Sequence, residues 1–168
     1  MVLLVEIIFD NKLNELLVSK YTAADIAKVD TNRFRPHLTL GLYDNSFENQ
    51  LKEVIKKYSS YEPVDIKLSS FGIFPNNKVF FISPEWNKGL LRFRQSWNQY
   101  IESSEIKLWE ECAFKADSWV PHVTLLKNYE YQQVRTLLES FELPACGEAI
   151  GIQMSDLETR ESFSVLFK

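Results

Sequence analysis

The chain has 168 residues, 45% of them hydrophobic, with 19 Lys and Arg set against 23 Asp and Glu for a formal net charge of -4. This length and apolar fraction suit one compact domain and exclude a disordered chain. The charge balance excludes the broad positive surface that grips long nucleic acid, but leaves room for a small phosphate ester held by a few local cations.

Residues 2–9 form an apolar run broken only by Glu6, and predict a first buried strand. The segment lacks a basic leader, and no apolar run approaches membrane-spanning length, so the expectation is a cytoplasmic protein without a membrane partner, a monomer by default. Residues 11–27 carry apolar positions at helical spacing, with Asp10 or Asn11 as the cap. A strand follows at 37–43. The stretch 46–61 then predicts a helix with Phe47, Leu51, Val54, Ile55 and Tyr58 on its apolar face.

Two strands near 64–71 and 78–83 are expected to turn through FPNN. Residues 88–103 predict another helix, in which Phe93, Trp97 and Tyr100 pack against a sheet. A strand at 122–127, a helix at 130–141 and strands near 148–154 and 162–167 complete the chain. Cys112 and Cys146 share no ligand spacing and read as two unpaired, partly buried thiols.

The chain holds two histidines, and both stand in one context: RPHLTLGLY at 35–43 and VPHVTLLKN at 120–128. Each motif begins the same order of strand, helix, strand, turn, strand. Phe81 lies 44 residues after His37, and Val165 lies 43 after His122. The fold class expected is therefore α+β, one domain with two pseudo-symmetric antiparallel sheets, helices outside, and lobes meeting near 84–89.

Alternation on a strand puts His37 and Thr39 on one face and Leu38 and Leu40 on the other; His122 and Thr124 repeat this opposite Val123 and Leu125. Lys127 falls on the apolar face by parity unless the strand bulges first. Two imidazoles that titrate near neutrality can divide into general base and general acid, and two hydroxyls can hold nonbridging phosphate oxygens. Which imidazole takes which part is open at this level. Arg35 and Lys115 are candidate phosphate cations, and Tyr43, Phe71, Phe74, Trp119 and Tyr129 are candidate base-stacking rings near strand ends. A zinc site finds no ligand spacing beyond the histidines, and no Gly-rich loop cradles a nucleotide triphosphate.

The pairs HLTL at 37–40 and HVTL at 122–125 resemble the paired His-x-Thr-x motifs of the 2H phosphoesterase superfamily, in its 2'-5' RNA ligase-like and cyclic nucleotide phosphodiesterase branch. The resemblance implies sheets flanking a central cleft, catalysis by His37 and His122, phosphate held by Thr39 and Thr124, and Lys127 in the place of a basic residue common in RNA-acting relatives. It implies a 2',3'-cyclic phosphate or 2'-5' linkage of a small nucleotide or RNA end as substrate, with no metal and no cofactor. By analogy His122 activates water, His37 protonates the leaving 3'-oxygen, and the product is a 2'-phosphate. The alternative is a non-catalytic member that binds nucleotide ends.

Overall fold

The computed structural model describes residues 2–23, 35–109 and 118–168. The elements run β1 (Val2–Phe9), α1 (Asn11–Ala23), β2 (His37–Asp44), α2 (Glu48–Lys56), β3 (Val64–Phe74), β4 (Val79–Pro84), α3 (Lys88–Ser103), β5 (Val123–Lys127), α4 (Tyr131–Ser140), β6 (Ala145–Asp156) and β7 (Ser162–Leu166). The expected elements are all present. The helix read over 46–61 is shorter, because one 3-10 turn precedes it and another follows it. Asp10 caps α1 by accepting from the Leu13 amide at 2.7 Å. The last four residues of the helix read over 11–27 lie outside the described residues.

The strands are antiparallel and hydrogen-bonded in the order β2-β1-β6-β3-β4-β5, with β7 also on β6. They make two antiparallel sheets joined by two long strands. One sheet is β2-β1-β6-β7. The other is β5-β4-β3, and the first half of β6 (Ala145–Ala149) continues it along Val64–Leu68. The expected junction at 84–89 falls between β4 and α3.

The sheets are not the two halves of the sequence. The hairpin β3–β4 pairs with the second motif strand, and the hairpin β6–β7 reaches the first motif strand through β1. An antiparallel edge accepts any strand of matching face, so pattern alone does not say which hairpin serves which motif.

One continuous core joins the sheets to the helices. It includes Leu3, Val5, Leu38 and Leu40 from β1 and β2, Val123 and Leu125 from β5, and Leu51, Ile55, Phe93 and Trp97 from α2 and α3. Phe93 and Trp97 are each 1% exposed and Tyr100 is half-buried beside them, as their helical spacing predicts. Ile8 and Phe81 are also buried but stand apart from this core. By strand alternation they belong to the opposite face, which carries the motif histidines.

The two motif strands are the ends of the sheet path, yet the chain brings them together. The Trp119 indole, three residues before His122, donates to the backbone carbonyl of Thr39 at 2.8 Å. The Arg94 guanidinium of α3 donates to the Leu40 carbonyl at 2.9 Å and lies 4.5 Å from the Trp119 ring. Burial pushes Arg94 down to about 10, which leaves it charged at neutral pH. No described helix is long and apolar enough to cross a membrane.

Candidate active site

The prolines of the two motifs explain the pose of the histidines. A residue before proline is driven into an extended conformation, so Pro36 and Pro121 fix the carbonyls of Arg35 and Val120. His37 Nδ1 lies 2.8 Å from the Arg35 carbonyl, and His122 Nδ1 lies 2.8 Å from the Val120 carbonyl. A carbonyl can only accept, so each Nδ1 carries the proton in these bonds. The neutral form of each ring then has its lone pair on Nε2. His37, Thr39, His122 and Thr124 are all half-buried, on the face of their strands away from the core.

A bulge recurs at the same place in both strands. Thr39 opposes Glu6, while Gly41 opposes Val5, so Leu40 is the extra residue of β2. Thr124 opposes Phe81, while Leu126 opposes Phe80, so Leu125 is the extra residue of β5. Leu125 and Leu126 both enter the core, and Lys127 returns to the face of Thr124. Lys127 is exposed there and close enough to His122 to affect its titration. The condition set by simple parity is therefore met by the bulge.

The two sides of the site differ in character. Around His37, Glu6 Oε2 lies 3.2 Å from Nδ1. Gln153 Nε2 donates to Glu6 Oε1 at 3.1 Å and to Ser155 Oγ at 3.0 Å, while Arg35 Nη1 donates to Gln153 Oε1 at 3.0 Å. Burial pushes the Glu6 carboxyl up, and the charges of His37 and Arg35 pull it back.

Around His122 the neighbours are rings. Phe74 meets it edge-on at 4.9 Å between centroids and Phe81 lies at 5.1 Å. Gly72 faces Phe81 across the β3–β4 pair, and a Cβ there would run into the Phe81 ring, so glycine is needed for the ring to lie where it does. Burial pushes the His122 pKa below the ordinary 6.5. The bond to the Val120 carbonyl opposes this, and the charges of His37 and Lys127 add to it. The Trp119 bond to the Thr39 carbonyl ties the approach to His122 to the strand that carries His37.

Several expected ligand residues lie elsewhere. Tyr43 is 1% exposed, its hydroxyl accepts from the Trp97 indole at 3.2 Å, and burial pushes it up to about 12. It is a core residue, because β2 after its bulge turns Tyr43 inward. Phe71 stacks on Phe80 and meets Phe141 edge-on, on the core face of β3. Tyr129 also packs against Phe80. Trp119 is 7% exposed between Trp86 and Arg94, so its ring face is already used. Lys115 and Cys112 lie outside the described residues, and Cys146 is exposed, not partly buried.

Sequence reasoning missed Glu6, Gln153 and Phe81 as site residues. Glu6 carries a visible signal, since it is the one charge within VLLVEIIF. Among the described residues no group of three or more His, Cys, Asp or Glu has the arrangement of a metal site.

The sequence profile of the 2'-5' RNA ligase superfamily matches residues 23–154. No curated protein matches the chain in sequence. Among solved structures, the fold is similar to TT0787 of Thermus thermophilus, with a TM-score of 0.58 and 18% identity over 99% of this chain and 94% of that one. It is also similar to E. coli LigT complexed with 3'-AMP, with a TM-score of 0.61 and 13% identity over 99% and 94%. Kluyveromyces marxianus Usb1 superimposes with a TM-score of 0.52 and 11% identity over 98% and 97%.

Proposed function

The chain belongs to the 2'-5' RNA ligase superfamily, and from that footing we propose that it is a phosphodiesterase that hydrolyses a 2',3'-cyclic phosphate or a 2'-5' linkage on a nucleotide or RNA end. The observation that carries this reading is the pair of imidazoles, each with Nδ1–H held by the carbonyl two residues earlier. Such a pair leaves both Nε2 atoms for acid–base work at one phosphorus. Complexes of E. coli LigT with 3'-AMP, NADP+ and phosphate support a nucleotide-sized phosphate ester as the ligand class.

With a 2',3'-cyclic phosphate, neutral His122 takes a proton from water at Nε2 as the new O–P bond forms. Imidazolium His37 gives its Nε2 proton to the 3'-oxygen as the P–O3' bond breaks, and a 2'-phosphate results. The two rings have then exchanged protonation states, and solvent restores them. Thr39 and Thr124 donate to the nonbridging oxygens, and Lys127 and Arg35 offset the negative charge of the phosphodiester.

The test is a pH–rate profile on 2',3'-cyclic nucleotides and 2'-5' dinucleotides, with and without EDTA. The base must be deprotonated, and His122 is pushed down, so kcat/KM rises with pH through a midpoint below 6.5. EDTA leaves the rate unchanged. No turnover of any of these substrates, together with tight binding of nucleoside monophosphate, would favour the binding-only alternative.

A further inference from the structure

The two motifs supply the same side chains, but the residue facing each threonine from the neighbouring strand differs. β1 places Glu6 opposite Thr39, and β4 places Phe81 opposite Thr124. Both follow a bulge at the same step, so the two positions correspond across the pseudo-symmetry. One is a carboxylate and the other a phenyl ring. We propose that Glu6 is a positioning residue that holds His37 in its protonated, proton-donating state and so fixes the direction in which the two-histidine reaction runs. This deepens the phosphodiesterase reading above and rests on it for the chemistry of the step.

Glu6 is 4% exposed in the middle of an otherwise apolar strand. A carboxylate there is costly unless its oxygens are engaged. Both are: Oε2 lies 3.2 Å from His37 Nδ1, and Oε1 accepts from Gln153. Gln153 is itself held by Ser155 and by Arg35, so the carboxylate is supported from behind on the side away from the imidazole. The Nδ1–H of His37 donates to the Arg35 carbonyl, and the Glu6 oxygen lies within ion-pair distance of the same nitrogen.

The charged groups around His37 are Glu6 on β1, Arg35 just before β2 and His122 on β5, with Lys127 beyond it beside His122; Gln153 on β6 is neutral. Glu6 alone among these is negative. An anion within ion-pair distance favours the charged form of its neighbour. At His122 the corresponding place is filled by Phe81, and Phe74 closes beside it, which favours the neutral ring. The carboxylate on one side and the rings on the other set the direction of proton flow between the two imidazoles. Turnover then starts with His37 as donor to the leaving oxygen and His122 as acceptor from water.

The test uses Glu6→Gln, which keeps the shape, can still accept from Gln153 through its amide oxygen, and puts an uncharged NH2 in place of the carboxylate oxygen beside His37 Nδ1. The first arm needs no turnover. With only two histidines, both imidazoles can be followed by nitrogen–proton NMR. At neutral pH the protonated fraction of His37 is expected to fall about threefold or more in Glu6→Gln, with His122 changed far less. An unchanged His37 overturns the proposal, whether or not the protein is an enzyme.

The second arm compares leaving groups. A 2',3'-cyclic nucleotide expels an alkoxide that needs a proton, whereas a 4-nitrophenyl phosphodiester expels a phenolate that does not. Glu6→Gln is expected to lower kcat about tenfold or more on the first and less than about threefold on the second. Equal losses on both would make Glu6 a structural support only. If wild type turns over neither substrate while His37 still responds to Glu6→Gln, the phosphodiesterase reading fails and the coupling of Glu6 to His37 stands.

Discussion

Replacing His122 or His37 by alanine is expected to lower the turnover of a 2',3'-cyclic nucleotide by about 10²–10⁴-fold while the protein stays folded. Both side chains are half-buried on the open face of their strands, and neither belongs to the continuous core. Their removal therefore subtracts chemistry with little packing. The two single variants should be almost as inactive as the double variant, since water attack and leaving-group protonation belong to one step. Steady-state rates alongside circular dichroism check this. A single variant within a few fold of wild type would remove that histidine from the mechanism.

Trp119→Ala is expected to have the largest effect on stability among the site's supports, about 3–5 kcal/mol in urea unfolding. Truncation empties the space between Trp86, at 5.7 Å, and the Arg94 guanidinium, at 4.5 Å. It also removes the indole that ties the approach to the second motif to the Thr39 carbonyl of the first. A domain of this size is stable by about 5–15 kcal/mol, so the loss is a large share of the total. Trp119→Phe keeps most of the packing and removes only the donor, at about 1–3 kcal/mol. In both variants the turnover of the remaining folded protein should fall, because Thr39 and His122 lose their common anchor. Unchanged turnover in Trp119→Phe would show that the motif strands do not depend on this bond for their alignment.

What could be read from the sequence follows from the range of each interaction. The two His-x-Thr pairs are local patterns on strands, and alternation alone sends the leucines inward and the imidazoles outward. The Pro-His step is local too, and it sets the carbonyl that each Nδ1 meets. The helices read over 46–61 and 88–103 announce themselves by their apolar spacing, the first of them confined to Glu48–Lys56 in the structure. Strand pairing is not local. Nothing in the β3–β4 hairpin says that it will lie beside β5, and the structure gives each motif strand a sheet completed from the other half of the chain.

The bulges are a second case. Leu125 and Leu126 are adjacent and both buried, a break in alternation that hints at the extra residue without fixing its place. That one residue decides whether Lys127 faces the core or the phosphate. Tyr43 shows the same effect in reverse: one bulge upstream turns a candidate stacking ring into the partner of Trp97. Glu6 was visible as a lone charge in an apolar strand. Its partner lies 31 residues away, and only the pairing of β1 with β2 brings the carboxylate to His37.

Phosphorus NMR of the protein with a panel of 2',3'-cyclic nucleotides, EDTA present, tests the central claim most directly. Wild type is expected to convert them to 2'-monophosphates, and the His37→Ala/His122→Ala double variant is expected to leave them intact. Conversion by the double variant at the wild-type rate, or no conversion by wild type, would contradict acid–base catalysis of cyclic phosphate opening by the two histidines.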